Sequence, residues 1–173
     1  MSSLKEVFSA EVIGRRVGEL AAQIDDVYQG ETVVAVCVLK GAFPFFSDLV
    51  RAMKTDVLID FVRLASYGDG VSSSEHVQIT KDVEISLEGR HVLIVEDIVD
   101  TGRSMDFLMR YFSSRGAKSI RLAALIDKKE RREFAVHADF VGFDLPAGFI
   151  VGYGLDHAER YRTLPAIYEL LDC

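Results

Sequence analysis

The sequence predicts an α/β protein with a mostly parallel, twisted β-sheet flanked by helices. Unbroken apolar runs at residues 33–39 and 92–95, and a third stretch rich in apolar residues at 119–126, are typical of strands buried on both faces of a parallel sheet. Residues with helical spacing follow the first two runs, as in a protein that alternates strands and helices. A length of 173 residues and a hydrophobic content of 49% suit one core, so we expect a single domain over residues 1–173.

The composition argues against several classes of protein. Twenty Lys and Arg residues against 27 Asp and Glu residues leave a formal net charge of −7, which argues against a general nucleic-acid or membrane surface. The longest apolar run, residues 33–39, is far shorter than the roughly 18 residues that a membrane span needs. Cys37 and Cys173 show no CxxC spacing and the N-terminus does not resemble a signal peptide, so we expect a reduced, cytoplasmic protein.

The remaining elements are predicted from periodicity and from glycine or proline breaks. An amphipathic helix over residues 9–29 begins at a cap residue, Ser9, and ends before Gly30, with Val27 on its apolar face. The other predicted elements are a helix after residue 42, an edge or antiparallel strand at 57–64, a loop at 65–74, a returning strand at 77–83, a central helix ending at Gly116, a short strand at 140–143 and a last helix at 165–171.

Two acids follow one of the buried strands directly. Glu96 and Asp97 come after the run at 92–95, and neighbouring side chains of a continuing strand would point to opposite faces. We therefore predict that the chain leaves the sheet at Glu96, so that both carboxylates serve one ligand. The carboxyl end of a strand is where ligands of open α/β sheets bind.

Five residues that open the next helix predict a phosphate site. Small and hydroxylated residues at a helix N-terminus leave main-chain N–H groups free, and the helix dipole adds positive potential. With two neighbouring acids that can accept hydrogen bonds from a diol, the segment suits a phosphorylated sugar. The alternative is a strand with solvated acids and a helix that Thr101 merely caps. The five residues are Asp100, Thr101, Gly102, Arg103 and Ser104.

Lysines at the carboxyl ends of two other strands extend this edge of the sheet. Lys40 and Gly41 follow the first strand, where a charge and free N–H groups suit a diphosphate, although a plain strand-to-helix turn explains them equally. Lys128 follows the third strand, where its ammonium group can donate to a carbonyl oxygen of a bound base. Residues 129–132 fit a solvated charge run.

Two further segments each leave two interpretations open. The loop at 65–74, rich in Gly and Ser, is either a surface hairpin or a mobile lid over a site. Phe149 is either a core residue or a platform on which a base stacks. Gly152 and Gly154 lack the third glycine of a dinucleotide fingerprint, which we reject, and the four histidines show no metal-ligand spacing.

Residues 92–104 resemble the phosphoribosyl-diphosphate motif of the type I phosphoribosyltransferases, which has four apolar residues, two acids and a Thr-Gly loop. The Asp at position 100, the first position of the phosphate-binding loop, makes the motif resemble the hypoxanthine-guanine branch of that family. The resemblance spans roughly residues 33–165. The other similar stretches, in the order that the family has them, are Leu39-Lys40-Gly41, Ser66-Tyr67, Lys128 and residues 148–162.

The resemblance implies the fold, activity and cofactor of the family. The fold would be a type I phosphoribosyltransferase sheet with a small hood formed by the terminal segments. The activity would be purine salvage, a Mg²⁺-dependent transfer of the phosphoribosyl group from phosphoribosyl diphosphate to hypoxanthine, guanine or both, with release of diphosphate. The resemblance also implies a homodimer or homotetramer, no nucleic-acid or membrane partner, and a cis peptide before Lys40.

A role for each matched residue is implied in the same way. Asp100 would be catalytic and would manage the proton of the purine imidazole edge. The site residues are then Glu96, Asp97 and residues 100–104 for ribose and phosphate, Lys40, Gly41 and Arg162 for diphosphate, Lys128, Phe149, Ile150 and Asp156 for the purine, Ser66 and Tyr67 for the lid, and Glu96, Asp97 and Asp156 for the metal.

Two departures from the family pattern and two rival functions stand beside this interpretation. Ala42 occupies a position where relatives often have a second glycine, and the chain ends soon after its last predicted helix. A nucleotide-sensing regulator of transcription or RNA would use the same fold, but Asp100, Lys128 and the acidic balance argue against it. A noncatalytic interaction domain is disfavoured because every expected reactive position is filled.

Overall fold

The computed structural model of the chain describes residues 3–67 and 76–171, with only the main chain of Tyr67. Its elements are β1 Leu4–Phe8, α1 Ala10–Tyr28, β2 Val33–Leu39, α2 Phe43–Ala52, β3 Val57–Tyr67, β4 His76–Lys81, β5 His91–Val99, α3 Arg103–Ser114, β6 Ser119–Asp127, β7 Phe140–Asp144, β8 Ile150–Val151 and β9 Ile167–Leu170. Six strands form one sheet in the order β4-β3-β2-β5-β6-β7, parallel except for β4. The predicted mostly parallel sheet flanked by helices is confirmed.

Helices cover both faces of the six-stranded sheet. Ala35 and Cys37 of β2 pack in the core that contains α1 and α2, whereas Val34 and Val36 pack in the core that contains α3. Every residue of β2 from 33 to 38 is buried, as an unbroken apolar run predicts for a strand covered on two faces. Within the described ranges, no helix is both long and apolar enough to be a membrane span.

The first helix, α1, begins and ends where its cap residues predict. The Ser9 side chain accepts a hydrogen bond from the Val12 N–H at 3.3 Å, and the chain turns into left-handed backbone at Gln29 and Gly30 after the helix ends. The helix buries Ile13, Val17, Leu20, Ala21, Ile24 and Tyr28. Val27 is 44% exposed, so its predicted place on the buried face is wrong.

Strand β3 pairs antiparallel with β4, as one of its two predictions has it, but it is not an edge strand and it is longer than predicted. It lies between β2 and β4, parallel to β2, and β4 takes the edge of the sheet. It also runs on to Tyr67, because Ala65, Ser66 and Tyr67 pair with β4, so the predicted loop begins too early. Residues 68–74 of that loop lie outside the described residues.

The terminal segments form a second, three-stranded antiparallel sheet in the order β1-β9-β8. Residues 165–171 were predicted as a helix, and that prediction is wrong. Ile167 and Leu170 are both buried, and their spacing of three fits one face of a helix as well as a short irregular strand. The main-chain partners on β1 and β8 decide in favour of the strand.

Candidate active site

The two predicted acids lie inside strand β5 rather than beyond it. The strand runs on to Val99, because β6 continues to pair with it as far as Asp127, although β2 stops pairing at Val95. The prediction that the chain leaves the sheet at Glu96 is therefore wrong. The acids lie where β5 has lost its pairing with β2 and kept its pairing with β6.

The carboxyl groups of Glu96 and Asp97 are nevertheless close together. Glu96 is only 8% exposed, its Oε1 accepts from the Asp97 N–H at 2.9 Å, and Asp97 Oδ1 accepts from the Ile98 N–H at 2.7 Å. Burial raises the pKa of both carboxyl groups, and the charge of Asp97 raises that of Glu96 further. The charge of Arg162 acts in the opposite direction on the pKa of Asp97. Such a pair suits a ligand that brings hydroxyl donors or a cation.

A glycine allows the next loop to lie directly against this pair. A Cβ atom on Gly41 would lie 1.7 Å from Asp97 Oδ2, so a residue with a side chain could not occupy the position without moving the acid. The Leu39–Lys40 peptide before it is cis, as the resemblance implies. A Cβ atom on Gly154 would lie 1.9 Å from the Gly41 oxygen, so two main chains also touch here.

Helix α3 begins with a main-chain arrangement that suits an anion. Gly102 is the N-cap residue, with φ at 84°, in the left-handed region that glycine tolerates. Because it has no side chain, no side-chain hydrogen bond caps the helix. Thr101 Oγ1 accepts only a long bond, 3.4 Å, from the Arg103 N–H. The first N–H groups of a helix have no partners inside it and carry the positive end of the helix dipole. They form the cradle that the sequence predicts over residues 100–104, which is called the phosphate loop below.

Arg132 holds the phosphate loop from behind. Its guanidinium donates to the main-chain oxygens of Asp100 at 2.9 Å and Val99 at 3.2 Å, and pairs with the buried carboxylate of Asp127. The Arg132 side chain is only 17% exposed, so its prediction as part of a solvated charge run is wrong. A Cβ atom on Gly102 would lie 3.1 Å from the Cδ of Arg132, so a side chain at this turn would press against Arg132 as well as strain the positive φ.

Asp100 presents one oxygen that is paired and one that is not. Its Oδ2 accepts from Arg131 Nη1 at 3.3 Å. Its Oδ1 is buried and has no hydrogen-bond partner among the residues that the structure describes. Because an unpaired buried acceptor is costly, Oδ1 suits a donor brought by a ligand.

The predicted purine residues lie at the end of β6 and at the start of β8, which belong to different sheets. Lys128 is half-buried, and its N–H donates to the Val99 oxygen at 2.9 Å, which ties it to the strand that bears the acids. Phe149 is 45% exposed, so it is not a core residue. Its ring meets that of His157 edge to face, with centroids 5.4 Å apart. Ile150 follows as the buried first residue of β8.

Asp156 and Arg162 belong to one turn, residues 156–162, called the Glu159 turn below. Asp156 Oδ1 pairs with Arg162 Nη2 at 3.0 Å, and Arg162 Nη1 donates to the Gly154 oxygen at 2.8 Å. Asp156 does not join the two acids of β5, since no group of three His, Cys, Asp or Glu suited to a metal occurs among the described residues. The residues predicted for the metal therefore lie in two places, Glu96 and Asp97 on β5 and Asp156 in the Glu159 turn, and their metal-binding role stays a prediction.

The lid residues are described only in part. Ser66 is exposed near the end of β3, and the main chain of Tyr67 pairs with His76. The rest of the predicted lid lies outside the described residues, so its closure stays a prediction.

Comparisons with known proteins agree with this geometry. The model of the phosphoribosyl transferase domain family matches residues 3–158. A hypoxanthine-guanine phosphoribosyltransferase from Bacillus subtilis is 47% identical over 94% of this chain and 91% of its own. The chain belongs to the hypoxanthine-guanine phosphoribosyltransferase family.

Other members of the hypoxanthine-guanine phosphoribosyltransferase family match over nearly the whole chain. The Aquifex aeolicus protein is 45% identical over 98% of this chain and 96% of its own. A crystal structure of the Bacillus anthracis protein superposes with a TM-score of 0.93 at 41% identity, covering 98% of this chain and 100% of that one. The family resemblance seen in the sequence is confirmed, and so is the fold.

Three residues near the site were not predicted from the sequence of this phosphoribosyltransferase. Arg131 and Arg132 support Asp100, and Glu159 pairs with Lys40 and Arg162. Arg131 and Arg132 belong to a charge run that is typical of solvated surface, and Glu159 is part of no recognised motif. Only the folded chain brings them to the site.

Proposed function

We propose that this phosphoribosyltransferase transfers the 5-phosphoribosyl group from phosphoribosyl diphosphate to hypoxanthine, guanine or both, in purine salvage. The observation that supports this best is the buried carboxyl pair, Glu96 and Asp97, on the strand that leads into the phosphate loop. The acids offer acceptors for a diol, and the phosphate loop, which reaches Thr101 five residues after Glu96, offers main-chain donors for a phosphate. Membership of the hypoxanthine-guanine family points to the same reaction.

The ribose and its 5-phosphate are held by the acid pair and the phosphate loop. Glu96 and Asp97 accept hydrogen bonds from the ribose hydroxyls. The main-chain N–H groups of residues 101–104 hold the phosphate, helped by the dipole of α3. Lys40, Gly41 and Arg162 bind the diphosphate group.

Magnesium fits the donors that are present. Mg²⁺ prefers oxygen ligands and is usually bound by one or two carboxylates together with substrate phosphates. Glu96 and Asp97 supply the carboxylates, whereas Asp156, which pairs with Arg162, completes no three-acid cage among the described residues. When bound, Mg²⁺ supplies positive charge that stabilises the diphosphate as it departs.

The purine lies between the ends of β6 and β8. Phe149 offers an exposed ring for stacking, Lys128 donates to the 6-oxo group, and the main chain of Ile150 reads the base edge, with Asp156 beside it. The unpaired Oδ1 of Asp100 accepts the imidazole proton of the purine as the new bond forms. Positive charge develops on the ribose ring, so the chain contributes mainly orientation and electrostatic stabilisation.

The test is incubation with Mg²⁺, phosphoribosyl diphosphate and each nucleobase in turn, with nucleoside monophosphate and diphosphate measured by chromatography. Formation of IMP or GMP with stoichiometric diphosphate is expected. Nucleotide binding without turnover would favour the regulator, and neither binding nor turnover would favour an interaction domain.

We also propose a cytoplasmic homodimer or homotetramer, as is usual in the family. Light scattering behind a sizing column measures the mass in solution directly. A mass of one chain across the working concentration range would contradict the proposal.

A further inference from the structure

One carboxylate connects the two cations of the diphosphate site. Glu159 Oε2 pairs with Lys40 Nζ at 2.8 Å, and its Oε1 pairs with Arg162 Nη2 at 3.2 Å. Lys40 follows β2 and Arg162 lies 122 positions later, in the Glu159 turn. The two cations therefore share a single acid of the chain, at the place where the proposed function puts an anion.

The turn holds Glu159 in an unusual main-chain conformation. Its φ is 65°, and Ala158 and Tyr161 also have positive φ, of 49° and 75°. Such angles are uncommon for residues other than glycine and need support from their surroundings. Part of that support is the hydrogen bond from the Glu159 N–H to Asp156 Oδ2 at 2.8 Å. The carboxylate is thus presented to the cations by a fixed turn.

The bridge has the geometry of a bound phosphate oxygen pair. Two oxygens on one central atom each accept from a different cation, as a phosphate group does between Lys and Arg. The side chain is 65% exposed, so solvent screens the contacts and the bridge is weak enough to open. A cavity of about 300 Å³ borders both cations, lined by Lys40 and Arg162 together with mostly apolar residues such as Phe43, Pro44 and Leu164.

We propose that Glu159 is a built-in competitor of diphosphate, which occupies Lys40 and Arg162 in the free enzyme and is displaced when the substrate binds. The inference rests on the proposed function, since it needs Lys40 and Arg162 to bind diphosphate. Because Glu159 must be displaced first, every ligand that uses these cations binds more weakly, including the diphosphate product. Return of the carboxylate to the cations therefore favours product release.

The direct test is titration of Mg²⁺-diphosphate into the enzyme by calorimetry. Glu159→Gln keeps the shape of the side chain and removes its charge, so diphosphate should bind about 3- to 10-fold more tightly, the gain expected from losing two screened ion pairs. Glu11→Gln is the matched control, because Glu11 is exposed and, within the part of the chain that the structure describes, pairs only with Arg15 on α1, at 3.2 Å. Glu11→Gln removes the same charge on α1 rather than in the diphosphate site and should leave the affinity for diphosphate unchanged.

A double-mutant cycle separates competition from a supporting role. In Lys40→Met/Glu159→Gln the gain should shrink relative to Lys40→Met alone, because part of the competition acts through Lys40. Unchanged or weaker diphosphate binding by Glu159→Gln would overturn the inference and make Glu159 a positioning residue. If neither Lys40→Met nor Arg162→Lys weakens diphosphate binding, the assignment of the diphosphate site fails first, and the inference falls with it.

Discussion

The Nε–H of Arg132 donates a 2.9 Å hydrogen bond to the main-chain oxygen of Asp100. The same guanidinium also reaches the main-chain oxygen of Lys128, at 3.3 Å, and the carboxylate of Asp127. One buried cation therefore fixes the residue proposed for proton transfer relative to the residue proposed for base selection. The two halves of the site are not independent.

Arg132→Lys should impair both halves of the site at once. A lysine keeps the charge but cannot reproduce the planar fork of donors, so some of the carbonyls of Val99, Asp100 and Lys128 lose their partners. Breaking a buried pair costs about 3–5 kcal/mol when one partner is removed, so Arg132→Met should lose free energy of unfolding in that range. Urea denaturation measures the stability loss, and KM values for both substrates measure the effect on the site. A lysine variant with wild-type KM values would contradict the linking role.

Asp100→Asn should slow turnover while leaving phosphoribosyl diphosphate bound. The phosphate loop holds its ligand through main-chain groups, whereas only a carboxylate can take the purine proton. Loss of an acid–base group lowers turnover roughly 10²–10⁴-fold. Steady-state kinetics with a binding measurement for phosphoribosyl diphosphate distinguish the two effects, and an unchanged turnover number would rule out the assignment.

Glu96→Gln should stabilise the free protein and abolish its function. Burial and the charge of Asp97 raise the pKa of Glu96 well above its usual value of 4.5, so the folded chain keeps a proton that the unfolded chain has released. Stability must then fall as the pH rises from about 4 to the raised pKa. Removing the acid should add about 1 kcal/mol at pH 8, or 2–4 °C in melting temperature, and flatten this pH dependence. Thermal melts from pH 5 to 8, with Glu11→Gln as control, test the sign.

Lys128 should make the enzyme select 6-oxopurines over adenine. An ammonium group donates to a carbonyl oxygen but is left unpaired against an amino group, which costs about 1–3 kcal/mol, or about 5- to 160-fold in kcat/KM. Lys128→Gln can donate or accept, so it should narrow the ratio between hypoxanthine and adenine. Equal rates with both bases in the unaltered enzyme would place it in a different branch of the family.

Gly41→Ala should disturb the acid pair without unfolding the protein. The added methyl group would overlap Asp97 Oδ2, so the carboxylate must move away from the position that it shares with Glu96. We expect a rise in KM for phosphoribosyl diphosphate with a near-normal melting temperature. Gly14→Ala is the control, since nothing lies within 4 Å of its added carbon.

The sequence predicted those parts of the site that depend on local pattern. Apolar runs identified β2, β5 and β6, and the residues at their carboxyl ends proved to share one edge of the sheet. The path of β5 past Glu96 was not predicted, because it depends on a neighbour, β6, that continues after β2 has ended. Local spacing contains no information on how far a neighbouring strand extends.

Long-range pairs were also beyond the reach of the sequence. Glu159 meets Lys40 across 119 positions, and Arg132 reaches Asp100 across 32. Charged residues in a run usually lie on the surface, so burial of Arg132 could be recognised only once the carbonyls around it were in place. The predicted last helix is wrong because one of the two partners of β9, strand β1, comes from the other end of the chain.

The small terminal sheet also bears on when the enzyme becomes active during synthesis. Leu4 pairs with Leu170, and β9 in turn fixes Ile150 through Glu169. The strands of the phosphate half, β2 and β5, lie within the first hundred residues, so they can associate while translation continues. The base-reading segment waits for contacts of very high sequence separation, which form slowly. A nascent chain should therefore pair β2 with β5 well before it can recognise a purine.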